Sequence, residues 1–203
     1  MLRPVRLYNS QLSGNCWKVR QILAHRGIEY ERVEVDVIDR SNRRDVLGGK
    51  NPALRVPTLE LDDGQHLAES NAILWYLADG TEYVPTDALA RARVLQWMFF
   101  EQYELEPSIA VARFWISILG QRDRYAAELE SKWRAGNRVL AALDEHLSGC
   151  DWLVGDEYSI ADISLYAYTH VADEGDFDLE PYGALRGWLD RVAAVPGHLP
   201  IAA

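Results

Sequence analysis

Apolar and polar positions alternate through Val5-Arg6-Leu7-Tyr8 with the period of two that a strand requires, and the alternation stops at Ser13-Gly14-Asn15. These are helix-start residues, and Val19, Ile22, Leu23 and Arg26 then recur at helical spacing until Gly27 ends the run. Glu29 to Asp36, carrying Tyr30, Val33 and Val35, reads as a second strand, and a polar segment rich in Arg and Asp follows as far as Gly48-Gly49. Val56-Pro57-Thr58-Leu59-Glu60-Leu61 is a strand opening on a proline, and the turn Asp62-Asp63-Gly64 leads to a short partner at His66-Leu67-Ala68. From Ser70, an expected N-cap, the spacing of Ile73, Leu74 and Leu77 is helical again and ends at Gly80. The predicted order of the first eighty residues is βαβ-α-ββα.

Beyond Gly80 the period is helical almost throughout. Asp87 to Leu119 is one long stretch with Leu95, Met98 and Phe99 on a face and an expected kink at Pro107. Arg124 to Leu147 places Leu129, Trp133, Gly136, Leu140 and Leu143 together, so that the two long helices should pack as a hairpin. Ser159 and Asp162 then have capping-box spacing ahead of a strongly apolar helix, and a last helix, Tyr182 to Ala194, stops before Pro196-Gly197. The predicted architecture is an α/β domain over 1–80 and an all-α domain over 85–203.

Charge sharpens that division. Acidic and basic side chains balance before residue 80, and the whole net charge of −10 lies after it, which makes the first part the better place for an anionic ligand. The acidic total opposes sequence-independent attraction to phosphate backbones, so nucleic acid is not an expected partner. No apolar run approaches the roughly 18 to 20 residues that span a bilayer, and MLRPVRLYN lacks the apolar core of a secretion signal. Two cysteines, Cys16 and Cys150, make neither a disulfide framework nor a zinc site, so a reducing cytoplasm and no metal are expected.

The chemistry-bearing candidates fall in the first part. Ser13 stands where a strand gives way to a helix, beside unpaired N–H groups at the positive end of the helix dipole. The position suits an anion such as a thiolate, and equally a plain helix cap. Cys16, one turn on, is open to two readings: a thiol activated by that helix end, or an inert core residue. A cis bond at Val56-Pro57 would present the Val56 backbone to an extended peptide, although an ordinary turn into an edge strand has the same spacing. Glu69-Ser70, just before a helix, has the groups to read an α-amino-acid end, with Ser70 on its carboxylate and Glu69 on its ammonium; as a bare pair it is a cap. Arg43, Lys50 and Arg55 would neutralise a second carboxylate or form a solvated basic surface.

Taken together, LYNSQLSGNCWKVRQILAHRGIEYE, NPALRVPTLELDDG, ESNAILWYLA and GDEYSIADISLYAY give a chain that resembles the cytosolic glutathione transferases over essentially its whole length. SGNCWKVR is most similar to bacterial serine-type, zeta-, theta- or nu-like members. The resemblance implies a thioredoxin-like N-terminal domain, an all-α C-terminal domain, glutathione as co-substrate, and a homodimer. It implies that Ser13 donates to the glutathione thiolate, that Val56, before Pro57, pairs with the cysteinyl part, and that Glu69 and Ser70 hold the γ-glutamyl end. Arg55 and, more loosely, Arg43 are then further glutathione ligands. Tyr8 is read as strand core, and Ser159 with Asp162 as a folding element. The implied reaction is attack of glutathione thiolate on a small hydrophobic electrophile, in a pocket for which Leu12, Phe99, Tyr103, Pro107, Ile109, Arg113 and Phe114 are candidates, Arg113 with an anionic substrate group or a partner at Glu101 or Glu106. The alternatives are a glutathione-dependent thiol-disulfide oxidoreductase, a zeta-like isomerase, and a non-catalytic binding or scaffold protein of the same fold.

Overall fold

The computed structural model describes residues 4–203. Its chain separates into two compact units, one formed by residues up to Asp79 together with Pro196–Ala203, the other by Gly80–Val195. The sequence reading carries the helical domain to 203; instead, the last eight residues pack with the first unit.

In the first unit β1 (Pro4–Asn9), α1 (Gly14–His25), β2 (Glu31–Glu34), α2 (Arg43–Leu47), β3 (Thr58–Leu61), β4 (His66–Ala68) and α3 (Ser70–Ala78) reproduce the expected order. The sheet runs β2-β1-β3-β4, with β1 and β2 parallel and the other pairs antiparallel, and this is the thioredoxin-like arrangement. Strand alternation sends Leu7 and Tyr8 to opposite faces. Leu7 and Leu59, paired across β1 and β3, are fully buried, as are Trp17, Val19, Ile22, Leu23, Ile73 and Leu74 from the two packed helices α1 and α3. Tyr8 instead forms a smaller cluster with Val35 and Leu47, against which Val33, Val46, Leu54 and Val56 pack.

α1 is less apolar than its burial suggests, because Lys18, Arg20 and Gln21 are inside with the hydrophobic residues. Burying such groups is costly unless each finds a partner. The returning segment supplies several: Gln21 Nε2 donates to Gly197 O (3.0 Å), Trp17 Nε1 to Leu199 O (2.8 Å), Arg20 Nη2 to Ile201 O (2.9 Å), and Leu199 N returns a bond to Gln21 Oε1 (2.7 Å).

The second unit is helical. α4 (Ala88–Phe100) continues into a stretch wound with i→i+5 bonds over Glu101–Ala110, a single turn α5 (Val111–Arg113), and a second wide stretch over Phe114–Ile118. Pro107, expected to kink the helix, lies inside the first wide stretch; a proline has no N–H to donate and crowds the preceding turn, and widened turns are one way a helix absorbs this. α6 (Ala126–Leu147) packs against that stretch, and Gly136 marks a close approach: a Cβ there would lie 2.3 Å from the Phe177 ring. α7 (Ile160–Thr169) is buried along its whole length, and α8 (Gly183–Ala193) packs on α6 and α7. The capping box is present. Asp162 accepts from Ser159 N and Oγ (2.9 and 3.0 Å) and, in addition, from Leu153 N (3.1 Å) and Trp188 Nε1 (2.9 Å).

Candidate functional site

Ser13 caps α1 in an extended conformation, its Oγ accepting from Cys16 N at 3.3 Å. That bond uses a lone pair and leaves the hydroxyl hydrogen without an acceptor among the described residues. The helix carries no acidic residue in its first turn, so its N-terminus keeps its positive character.

Cys16 is a different matter. It is fully buried, its sulfur accepting from Ser10 N at 3.3 Å, and burial pushes its thiol up to about 11 against the opposing pull of the Ser10 and Ser13 hydrogen bonds. A thiol held protonated and out of solvent is not an attacking group. Of the two readings of Cys16, the core residue is the one its surroundings favour.

Ser70 is the first residue of α3 rather than its N-cap, which corrects the expectation from spacing. Glu69 occupies the N-cap position, at φ 67°, ψ 113°, exposed and making no side-chain capping bond. A non-glycine residue in that region is strained, and such strain tends to mark a functional corner. Ser70 is buried; its Oγ donates to Asn15 Oδ1 (3.1 Å) and accepts from Lys18 Nζ (3.4 Å), while Lys18 Nζ also reaches Asn71 Oδ1 (3.5 Å). The starts of α1 and α3 are thereby tied together, bringing Ser13 and Ser70, remote in sequence, onto joined helix ends. Asn15, Lys18 and Asn71 carry that join, and periodicity had no means of finding them, since it treats a polar residue in a helix as solvent-facing.

The Val56–Pro57 peptide is cis. Val56 N–H and C=O enter no hydrogen bond among the described residues. The loop is braced from beneath by buried Asn51 and Thr58: Asn51 Nδ2 donates to Arg55 O and to Thr58 Oγ1, both at 2.9 Å, and Thr58 Oγ1 donates to Arg55 O at 2.9 Å. Leu54, at φ 51°, turns the chain into it.

Arg43 is half-buried, donating to the Asp36 and Val37 carbonyls at 3.4 Å. Burial, with the like charges of Arg40 and Arg55, lowers its pKa. Arg40 and Arg55 are exposed and form no ion pair among the described residues, so the three make a positive cluster without an acidic partner on its outer members. Lys50 is engaged elsewhere, donating to Val46 O (2.9 Å) and lying 5.4 Å from the centroid of the Tyr8 ring. Tyr8 is strand core: its hydroxyl donates to Glu60 Oε2 at 2.7 Å, and burial raises its pKa.

The pocket candidates are placed as follows. Leu12, 41% exposed, lines a cleft of about 370 Å³ in the first unit with Ser10, Val35, Val37 and Ile38 among its neighbours. Phe99 and Tyr103 are exposed on the α4 run, Phe114 is half-buried, and Pro107 and Ile109 lie in the wide stretch, Ile109 fully buried. Arg113 is buried, and its Nε donates to Glu174 Oε2 at 2.7 Å. Glu174, from the 3₁₀ turn Ala172–Gly175, is thus an acid partner that the sequence reading did not name.

Residues 12–79 match the family profile of the glutathione S-transferase N-terminal domain, and residues 107–196 that of the C-terminal domain. The chain belongs to the glutathione S-transferase family. A crystal structure of a glutathione S-transferase from Pseudomonas fluorescens superposes with a TM-score of 0.94 at 44% identity, covering 98% of each chain. Among the family's curated members, the glutathione S-transferase-like protein LUC7 of a Fusarium species is 31% identical over 84% of this chain and 81% of its own length. The disulfide-bond oxidoreductase YfcG of Escherichia coli is 28% identical over 90% and 87%. A glutathione transferase from Burkholderia graminis, crystallised with two glutathione molecules per subunit, is similar at a TM-score of 0.82 and 27% identity, over 96% of this chain and 85% of that one. Every candidate glutathione ligand except the outlying Arg43 stands in a segment that carries the family resemblance, and all of them, Arg43 included, lie within the matched N-terminal domain.

Proposed function

We propose that this glutathione S-transferase binds glutathione on its first unit and activates the thiol for attack on a small hydrophobic electrophile, with Ser13 as the catalytic group. The observation that carries the reading is the joining of two helix starts, α1 and α3, through the 3.1 Å bond between Ser70 and Asn15, with an undirected hydroxyl hydrogen at Ser13. Glutathione is an extended molecule with a thiol at its centre and carboxylates at both ends, and a thiolate donor beside one helix end and a carboxylate site at another match that form. Ser70 and the α3 N–H groups take the γ-glutamyl α-carboxylate, Glu69 its ammonium, and Val56, held before Pro57, pairs its free N–H and C=O with the cysteinyl residue. Arg55 and Arg43 face the glycyl carboxylate.

An ordinary thiol titrates near 8.5, so half-ionisation at pH 7 needs about 2 kcal/mol of preferential stabilisation of the anion. One charge-assisted hydrogen bond contributes roughly 1.5–3 kcal/mol and a helix N-terminus about 0.3–1 kcal/mol, which is sufficient. The thiol proton leaves to solvent, the sulfur forms the new bond to carbon as that carbon's bond to its leaving group breaks and the group departs with the bonding pair, and the protein contributes orientation and electrostatics. Tyr8 and Cys16 take no part.

Titration of the purified protein with glutathione by calorimetry, with the bound thiol followed by its ultraviolet thiolate band, tests this directly. Binding with a thiol pKa lowered in the native protein and restored by one to two units in Ser13→Ala is the expected result; absence of binding removes the reading. A second reading, glutathione-dependent disulfide reduction, is favoured by the likeness to the Escherichia coli oxidoreductase. It would proceed through the bound glutathione thiol, because the surroundings of Cys16 keep its thiol protonated.

We further propose a cytoplasmic homodimer. Leu95, Phe99 and Tyr103, each four residues on from the last and all exposed, form an apolar stripe along the α4 run that a second copy would cover.

A further inference from the structure

Lys18 is fully buried, and a lysine without exposure calls for a reason. Its ammonium donates to Ser70 Oγ at 3.4 Å and to Asn71 Oδ1 at 3.5 Å, at the start of α3. Cations are ordinarily placed at helix C-termini, where the dipole welcomes them; this one stands at the positive end. Glu69 offers no side-chain acceptor to the first N–H groups, and no acidic residue lies in the first turn of α3. Two positive sources of the same sign therefore act on one corner, in a setting that solvent screens poorly.

We infer that Lys18 is a positioning residue for the γ-glutamyl carboxylate of glutathione, acting through Ser70. An ammonium is a donor only. By donating to Ser70 Oγ it occupies a lone pair of the hydroxyl and turns the single hydroxyl hydrogen outward as a donor. In the free protein that hydrogen goes to Asn15 Oδ1. A carboxylate arriving over the α3 N-terminus takes it instead, and meets a hydroxyl fixed in direction and polarised by a cation behind it. A ligand lacking that carboxylate gains nothing from the arrangement. Lys18 is thus a specificity residue for the amino-acid end of the peptide and has no role in moving a proton at sulfur. The inference rests on the reading above that Ser70 holds this carboxylate.

The test compares the whole protein with Lys18→Met and Lys18→Gln for binding of glutathione and of 4-aminobutyryl-cysteinylglycine, which is glutathione without its α-carboxylate. Calorimetry is paired with KM and kcat for conjugation of 1-chloro-2,4-dinitrobenzene. Lys18→Met is expected to lose about tenfold in glutathione affinity, the size of one charge-assisted hydrogen bond, while binding of the analogue is unchanged. KM for glutathione rises by the same factor and kcat at saturation holds. Lys18→Gln, which keeps a donor without the charge, falls between, and it carries the test should the methionine variant melt early. Equal losses for both ligands, or no loss for either in the folded variants, overturn the inference. If the unaltered protein binds no glutathione the transferase reading fails and this inference with it; if it binds but the variants discriminate as it does, this inference alone fails.

Discussion

Replacing Cys16 by alanine separates a core thiol from a catalytic one. In the native protein the thiol is held up to about 11 by burial. In the unfolded chain it returns to about 8.5–9. At pH 8 roughly one Cys16 in a thousand is ionised, against about a quarter of an unperturbed thiol, so ionisation alone slows alkylation by more than a hundredfold before burial is counted. The same difference links to stability. Between about pH 9 and 11 the native state retains a proton that the unfolded state has lost, so the contribution of Cys16 is complete below pH 9 and is lost as pH rises through 11. Two units of difference amount to about 3 kcal/mol.

The assay is urea unfolding of the parent and Cys16→Ala at pH 7, 9 and 10.5, beside labelling by iodoacetamide at pH 8 with the site read by mass spectrometry. At pH 7 the variant should be less stable by about 1–2 kcal/mol, for a small buried cavity. By pH 10.5 the difference should shift by about 2 kcal/mol in favour of the variant, closing or reversing the gap, because only the parent carries the titrating group. The tyrosines of the helical unit whose pKa burial raises, Tyr158 and Tyr166 among them, titrate in both proteins and cancel in the comparison. Half-exposed Cys150 should label first and Cys16 only on unfolding. Conjugation should survive the substitution. Rapid stoichiometric labelling of Cys16 in the folded protein, or a constant stability gap across the pH range, would refute the argument and return Cys16 to the list of nucleophiles.

Two further outcomes are expected. Asp162→Ala strands four donors, from Ser159 twice, Leu153 and Trp188, and should cost about 3–5 kcal/mol by urea unfolding, with Asp162→Asn less severe; a loss under 1 kcal/mol would contradict the four-bond reading. Phe99→Glu combined with Tyr103→Glu places charge on the exposed α4 stripe and should convert a dimer to a monomer in sedimentation without lowering thermal stability; a parent protein already monomeric removes the homodimer.

The fold was legible because its signals are local. Period-two runs marked β1 and β3, helical spacing marked α1 and α3, and Asp62-Asp63-Gly64 marked the hairpin between β3 and β4. Ser159 and Asp162, three apart, announced the α7 cap, but not that Trp188 and Leu153 would share the same carboxylate, since those contacts join segments that spacing does not relate. The same limit explains Arg113: Glu101 and Glu106 are the near acids in sequence, and spacing gives no sign of Glu174, which pairs with it from 61 residues away. It explains the chain end as well. Pro196-Gly197 ended the helical pattern, and nothing in that pattern said that the following residues would return to α1.

That return and the site are two consequences of one helix. α1 carries Lys18, Arg20 and Gln21 on faces that are all buried, so its polar groups had to be answered from different directions. Arg20 and Gln21, with the Trp17 indole, are answered by carbonyls of residues 197–201, leaving Lys18 to point at α3. A wholly apolar α1 would pack as well against the sheet, yet it would have no means of fixing the rotation and register that set Ser13 and Asn15 against Ser70. Buried polar groups contribute little net stability when paired and cost a great deal when not, so their effect is to penalise every other placement of the helix. On this argument the segment 197–201 serves the site at a distance: it makes one orientation of α1 far better than its neighbours, and the joined helix ends follow from that orientation.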